Sequence, residues 1–204
     1  QNSRTEMIAY RPDGKDTRRH VAAMGAAAAA SVGTFTVDGC FWFLVHPKDS
    51  ATDLVPARFD GKSIEQFPKA RIHTAKTFET CRYTPGQDGI LIEAARQWTL
   101  VTPRQALQGR DLEDLIAKNA PEFAATFTGR LPTSRVHQPT QVVADTAGNI
   151  WLLHQDQRQL KVFAGGEWID ARPILRQAGN PRGDVFVILP VGASGKILAA
   201  DLRS

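Results

Sequence analysis

One turn-and-strand pattern recurs four times along the chain and constrains the fold more than any other feature. Each copy sets a glycine at a tight turn and follows it with an apolar run. The copies are Val37-Asp38-Gly39-Cys40-Phe41-Trp42-Phe43-Leu44, Gln87-Asp88-Gly89-Ile90-Leu91-Ile92, Ala147-Gly148-Asn149-Ile150-Trp151-Leu152-Leu153 and Ser194-Gly195-Lys196-Ile197-Leu198-Ala199. An apolar run also precedes each copy, weakest before the second, at Cys81-Arg82-Tyr83. Asp-Gly, Gly-Asn and Ser-Gly turns between β-rich runs are hairpin signals, because such turns need positive φ.

A second kind of turn alternates with the first. Phe59-Asp60-Gly61-Lys62-Ser63-Ile64 and Phe163-Ala164-Gly165-Gly166-Glu167-Trp168 share Phe-x-Gly-x-x-apolar, and Tyr10-Arg11-Pro12-Asp13-Gly14-Lys15 is a looser copy. In the second unit the equivalent turn is expected in shortened form around Ala94 to Trp98. From Gly39 to Gly195 is 156 residues, or three steps of 52, and from Gly61 to Gly165 is 104, or two. The single steps of the first series are 50, 59 and 47, a scatter that suits surface insertions between rigid repeats.

Two hairpins per unit give four short strands in about 50 residues, the signature of a β-propeller blade. The expected fold is all-β: about four four-stranded antiparallel blades, or a slice of a larger ring, with a short helical insertion. Residues 1–204 are read as one propeller region. Residues 103–128 are the insertion, because Leu107, Leu112, Leu115, Ile116 and Phe123 fall at helix-like spacing. Asp111, Glu113 and Asp114 suit a helix's first turn, and Pro121 ends that helix or opens a second. The plainer role is to cap a sheet edge; the alternative is a lid or docking element. The Ala-rich stretch from Ala22 to Ala30 is helical by propensity, or a close-packed connection.

The third unit resembles the propeller repeat of two-component-regulator type. Asp145, Gly148, Asn149, Ile150 and Trp151 match its D-x-x-G-x-hydrophobic-W part, and Phe163, Gly165, Gly166 and Trp168 match the later aromatic, turn and Trp. Residues 36–67 carry a second copy with Asp38, Gly39, Trp42, Phe59, Asp60 and Gly61, but Ile64 stands where the pattern has Trp. The resemblance implies a propeller, a sensor domain of a regulator or an extracellular module, and a place outside the cytoplasm. Residues 6–20 then read as the outer strands of one blade and 185–204 as the inner strands of another. Either the chain is a slice of a longer propeller, or the two ends complete one blade of a four-bladed ring. The slice is the favoured expectation, with this segment covalently part of a longer chain; the chain opens at Gln1, without an initiator Met or signal-peptide pattern.

Composition narrows the function. The longest apolar runs, Cys40 to Val45 and Val185 to Pro190, are far short of the roughly 20 residues of a spanning helix, so no membrane contact is expected. The 25 basic and 21 acidic residues give only +4, with no basic run interleaved with aromatics, so no nucleic-acid partner is expected. Cys40 and Cys81 lack metal-ligand spacing and read as separate core side chains, with a disulfide left open. No cofactor motif is present. Gly192 to Lys196 is too short for a phosphate loop, Arg182-Gly183-Asp184 is a chance turn, and Ser194 lacks a nucleophile elbow. Trp42, Trp98, Trp151 and Trp168 read as packing between blades.

All five histidines map near the face that carries second-to-third strand loops and between-blade connections. His46 and His154 end matching strands, and His20, His73 and His137 sit in or beside connections. With Asp49, Asp53 and Asp156 nearby in sequence, this face is the expected site, since rigid scaffolds present function on loops. The ligand-binding candidates are His46, His154, Asp49 and Asp156. The expected function is a non-catalytic module binding a small molecule or protein, the sensor part of a larger signalling or surface protein. The alternative is a metal-assisted lyase or hydrolase. Some propellers, such as the streptogramin lyase type, use His and acidic groups around a metal, but no such motif carries over here residue by residue. That alternative requires His46 and His154 to converge.

Overall fold

Turn geometry sets the architecture. Asp145 closes the turn 145–149 by accepting the backbone N–H groups of Ala147 and Asn149 at 2.9 Å on one carboxylate oxygen. Gly148 takes φ +83°, which an L side chain rarely adopts, and the chain returns as an antiparallel strand. Asp60 does the same work at the other kind of turn, accepting from the N–H groups of Lys62 and Ser63 at 2.8 Å.

The computed structural model describes residues 6–9, 18–21, 33–47, 49–50, 52–73, 81–94, 96–128, 140–154, 158–179, 185, 187–191 and 196–200. The first sheet runs β3 (Thr34–Phe35), β4 (Phe41–Val45), β5 (Asp53–Phe59) and β6 (Ile64–Gln66). A 3₁₀ turn at Pro68–Ala70 then brings β7 (Ile72–His73) back onto the start of β5. The second sheet holds β8 (Arg82–Pro85), β9 (Ile90–Ala94), β10 (Gln97–Val101) and β11 (Ala106–Gly109). The third holds β12 (Thr140–Ala144), β13 (Ile150–His154), β14 (Gln159–Ala164) and β15 (Glu167–Asp170). Hairpins β1 (Glu6–Ala9) with β2 (Arg18–Val21) and β16 (Val187–Val191) with β17 (Lys196–Ala200) precede and follow them in the chain. Every sheet is antiparallel, and apart from β7, which pairs back onto β5, each is a meander. The helices are α1 (Leu112–Lys118) and α2 (Ala120–Phe127) between the second and third sheets, and α3 (Arg172–Gln177) after the third.

The two-residue period of a strand puts successive side chains on opposite faces, and both faces are buried. Trp42 and Leu44 of β4 pack with Ile90, Ile92 and Val101 of the second sheet. Phe43 and Val45 turn the other way, to Val55, Ala57 and Phe59. Leu91 and Leu100 cluster with α1, α2 and with Val142, Ile150 and Leu152 of the third sheet. Val143, Leu153 and Leu160 cover Val185 and Ile188. Each fully covered Leu, Ile or Phe contributes about 1.5–3 kcal/mol by leaving water. Polar bonds join the layers too: Ile188 N–H donates to Gln141 Oε1 at 2.9 Å inside the core.

The result is mostly β and propeller-like: meander sheets stacked face to face in chain order. Among the described residues two four-stranded sheets and one five-stranded sheet stand where about four blades were expected. Among the described residues β1–β2 and β16–β17 pair only within themselves, so strand pairing does not close the series into a ring.

The second unit departs from its expected layout. Its third-to-fourth turn is Thr102–Gln105, where the Thr102 hydroxyl oxygen accepts from the Arg104 and Gln105 N–H groups. The turn near Arg96, at φ +61°, instead joins the second strand to the third. The segment 103–128 therefore opens with strand β11, which carries Leu107, and turns helical only at Leu112. Asp111 caps α1 by accepting the N–H of Asp114 at 2.8 Å, and Pro121 lies in the first turn of α2. The helices fill the space between two sheets: Leu112, Leu115, Ile116, Phe123 and Phe127 are all buried. Ala22 to Ala30, the Gly14 and Gly195 turns and the Arg182-Gly183-Asp184 tripeptide lie outside the described residues.

Candidate functional site

At the loop end of the first sheet, β4 runs out at His46 and β5 begins at Asp53. His46 Nδ1 lies 2.9 Å from the Asp53 carbonyl oxygen. The Asp53 carboxylate meets His73 Nδ1 at 3.1 Å and Arg71 Nη1 at 3.6 Å. Arg71 Nη2 also donates to both Asp49 oxygens, at 2.6 and 2.8 Å, and this bond holds the Asp49 carboxyl below its ordinary value. Gln108 of the second sheet donates to the Arg71 carbonyl at 3.0 Å. Asp49 thereby links its own loop to the segment before β7.

His154 ends β13 in the third sheet. Burial lowers its pKa below the ordinary imidazole value, and the Lys161 charge adds to that; Glu113, Glu93 and Asp111 act in the opposite direction. The first sheet packs on the second and the second on the third, so a sheet separates the two that carry His46 and His154. Asp156 and His137 lie outside the described residues. Among the described residues no group of three or more His, Cys, Asp or Glu is arranged to hold a metal ion.

Both thiols are free and pack around the same hydrophobic cluster. Burial pushes the Cys40 thiol up, with Asp38 adding to the effect and Arg58 opposing it; burial alone raises Cys81. Trp42, Trp151 and Trp168 are engaged within the fold, and Trp98 packs against the cluster between the second and third sheets. Trp42 is fully buried and stacks on Phe67, Trp151 Nε1 donates to Asp145 at 3.1 Å, and Trp168 Nε1 donates to the Glu113 carbonyl at 3.2 Å.

A cavity of about 400 Å³ opens at the opposite end, among the tight turns. Its walls come from three turns and a helix: Val37 and Asp38, Gln87 and Asp88, Thr102 with Arg104 and Gln105, and Glu122, Ala125 and Thr126 of α2. Backbone bonds between separate sheets fix these walls. Val37 N–H donates to the Gly86 carbonyl at 3.0 Å and Asp38 N–H to the Gln87 carbonyl at 2.9 Å. Gln87 N–H donates to the Thr126 carbonyl at 2.7 Å, and the Gln87 side-chain amide donates to the Thr128 carbonyl. Burial alone would raise the Asp38 carboxyl, but bonds from Thr36, the Cys40 N–H and Arg58 hold it low, so it stays ionised.

The expected site lay at the other end of the sheets, so this cleft was not foreseen. One signal for it was present. Asp38 and Asp88 each precede the glycine of a first-to-second strand turn in successive units, and stacked sheets bring such positions side by side.

No family model and no curated protein matches the chain. Solved structures with a distant likeness include two of virginiamycin B lyase from Staphylococcus aureus. A catalytically inactive variant with quinupristin is 10% identical at a TM-score of 0.36, covering 81% of this chain and 47% of that one. A selenomethionine-substituted form is 11% identical at a TM-score of 0.42, covering 98% of this chain and 64% of that one. The present chain spans less than two thirds of either.

Proposed function

We propose that this chain is a non-catalytic ligand-binding module of propeller-like build, and that its ligand sits in the cleft among the turns. One observation carries the reading: the cleft walls belong to two different sheets and a helix, yet backbone hydrogen bonds tie them to one another. Walls held this way are pre-organised, so a ligand is not charged the cost of ordering them. The volume falls in the range of roughly 300–1,000 Å³ common for small-molecule sites. Polar groups converge there from Asp38, Gln87, Asp88, Gln105 and Glu122. The resemblance of the repeat to regulator propellers supports a role as the sensing part of a longer chain.

Backbone amide shifts mapped by NMR during titration with a fragment mixture test this reading. Perturbations are expected at Val37, Asp38, Gln87 and Glu122. Perturbations confined to His46, Asp49 and His73 would overturn it.

A further inference from the structure

The turn-end cleft differs in charge from the chain as a whole. The chain is net positive at +4, yet among the described residues the cleft walls hold Asp38, Asp88 and Glu122 against one cation, Arg104. The three carboxylates differ in their partners. Asp38 is engaged from behind, by Arg58 Nη2 at 3.0 Å and the Thr36 hydroxyl at 2.5 Å. Asp88 faces Arg104 at 3.7 Å, too far for a hydrogen bond, and the Arg104 side chain is 83% exposed. A pair so open to water is worth little, so Arg104 is displaced at small cost. Glu122 is half-buried on α2 and has no hydrogen-bond or ion-pair partner among the described residues.

The remaining wall is apolar where Val37, 42% exposed, and the exposed Ala125 present their side chains. An anion entering here meets three carboxylates, and like charges brought together at an interface are strongly disfavoured. A neutral ligand supplies Glu122 with no counter-charge, and the described residues supply none by ion pair. A cation with an aliphatic stem satisfies both kinds of wall, its head at Glu122 and Asp88 and its stem along Val37 and Ala125.

We infer that the turn-end cleft takes a small organic cation, an amine or guanidinium on an aliphatic body; this rests on the cleft being the ligand site proposed above. Four probes with the same stem separate the classes: n-butylguanidinium, n-butylamine, n-butanol and butyrate. Saturation-transfer NMR at low salt measures their binding to the wild-type chain, to Glu122→Gln and to Ala125→Trp. Ala125 is exposed on a helix, so the Trp fills the cleft without disturbing the core, and circular dichroism checks that both variants fold.

The two cations are expected to bind and the other two probes not. Ala125→Trp should abolish binding. Glu122→Gln should weaken it by roughly threefold or more, and added salt should weaken it further. Butanol or butyrate binding as well as the cations, or Glu122→Gln leaving affinity unchanged, would overturn the cation assignment while the cleft remains the ligand site. Binding of no probe, or binding that Ala125→Trp does not touch, would overturn the cation assignment; the amide-shift map then decides the fate of the cleft by itself.

Discussion

Gln87 donates its backbone N–H to the carbonyl oxygen of Thr126 at 2.7 Å, fastening a turn of the second sheet to the C-terminal end of α2. The same residue accepts, through its own carbonyl, the N–H of Asp38 in the first sheet. One turn residue thus joins three separate pieces of chain. Stacked meander sheets leave their turn ends as unpaired backbone exposed to water. Here those groups are paired across the stack instead, and the seam they form is the floor of the cleft.

The seam has no spare room. A Cβ placed on Gly86 would lie 2.5 Å from both the Thr126 carbonyl oxygen and its Cγ2. Backbone cannot yield there without breaking the Gln87 bond. Gly86→Ala is therefore expected to destabilise the fold by about 2–3 kcal/mol, read from urea unfolding. Gly39→Ala is the comparison. It meets open space and suffers only from φ +83°, so it should cost about 1 kcal/mol. Equal costs for the two would refute the close-approach account.

Much of this fold was legible because its turns are local. Asp145 and Asp60 close their turns within four residues, so the sequence carries the whole signal. The second unit departs from its expected layout for the same reason in reverse. Its third-to-fourth turn is built on the Thr102 hydroxyl without a glycine, and Arg96 adopts positive φ where glycine is the usual mark. The cleft was hidden because no short stretch contains it: its residues run from Val37 to Thr126 and meet only when sheets stack. For His46 and Asp49 the sequence is ambiguous in kind, because polar side chains in a loop give the same pattern whether they bind a ligand or, as Asp49 and Arg71 do, pair with each other.

Asp145 is buried to 9% exposure and accepts from four donors, the Ala147 and Asn149 N–H groups, the Asn149 amide and the Trp151 indole. Asp145→Ala leaves those donors without their partner in a covered turn. A loss of about 2 kcal/mol is expected in denaturant unfolding, with a change in Trp151 fluorescence. Asp145→Asn keeps part of the acceptor set and should fall between. A variant as stable as the wild type would show that the turn holds without its carboxylate.

Lys161 of β14 reaches Glu113 of α1 at 2.6 and 2.9 Å, and both side chains are under a third exposed. The pair ties the inserted helix to the third sheet, together with Trp168 on the Glu113 carbonyl. A double-mutant cycle with Lys161→Met and Glu113→Gln should give a coupling of roughly 1 kcal/mol. A coupling near zero would mean that α1 is held by Leu112, Leu115, Ile116 and the Trp168 bond without help from the ion pair.

His154 gives the fold a dependence on pH whose sign follows from its surroundings. Burial disfavours the imidazolium, and Lys161 adds to that, while Glu113, Glu93 and Asp111 offset only part, so the folded chain binds the proton less readily than the unfolded chain. The unfolded imidazole titrates near its ordinary value of 6.5. Stability from this group is complete above that value and is lost as pH falls from it toward the lower, folded-state value. Carboxylates held low, such as Asp38 and Asp145, bring their own loss only at more acid pH, around and below about 4. Urea unfolding at half-unit steps from pH 8 to pH 5 should therefore show wild-type stability declining on the acid side of 6.5. His154→Gln should decline less steeply, so that the two curves approach each other as pH falls. Parallel curves across that window would mean that His154 takes up its proton equally well folded and unfolded.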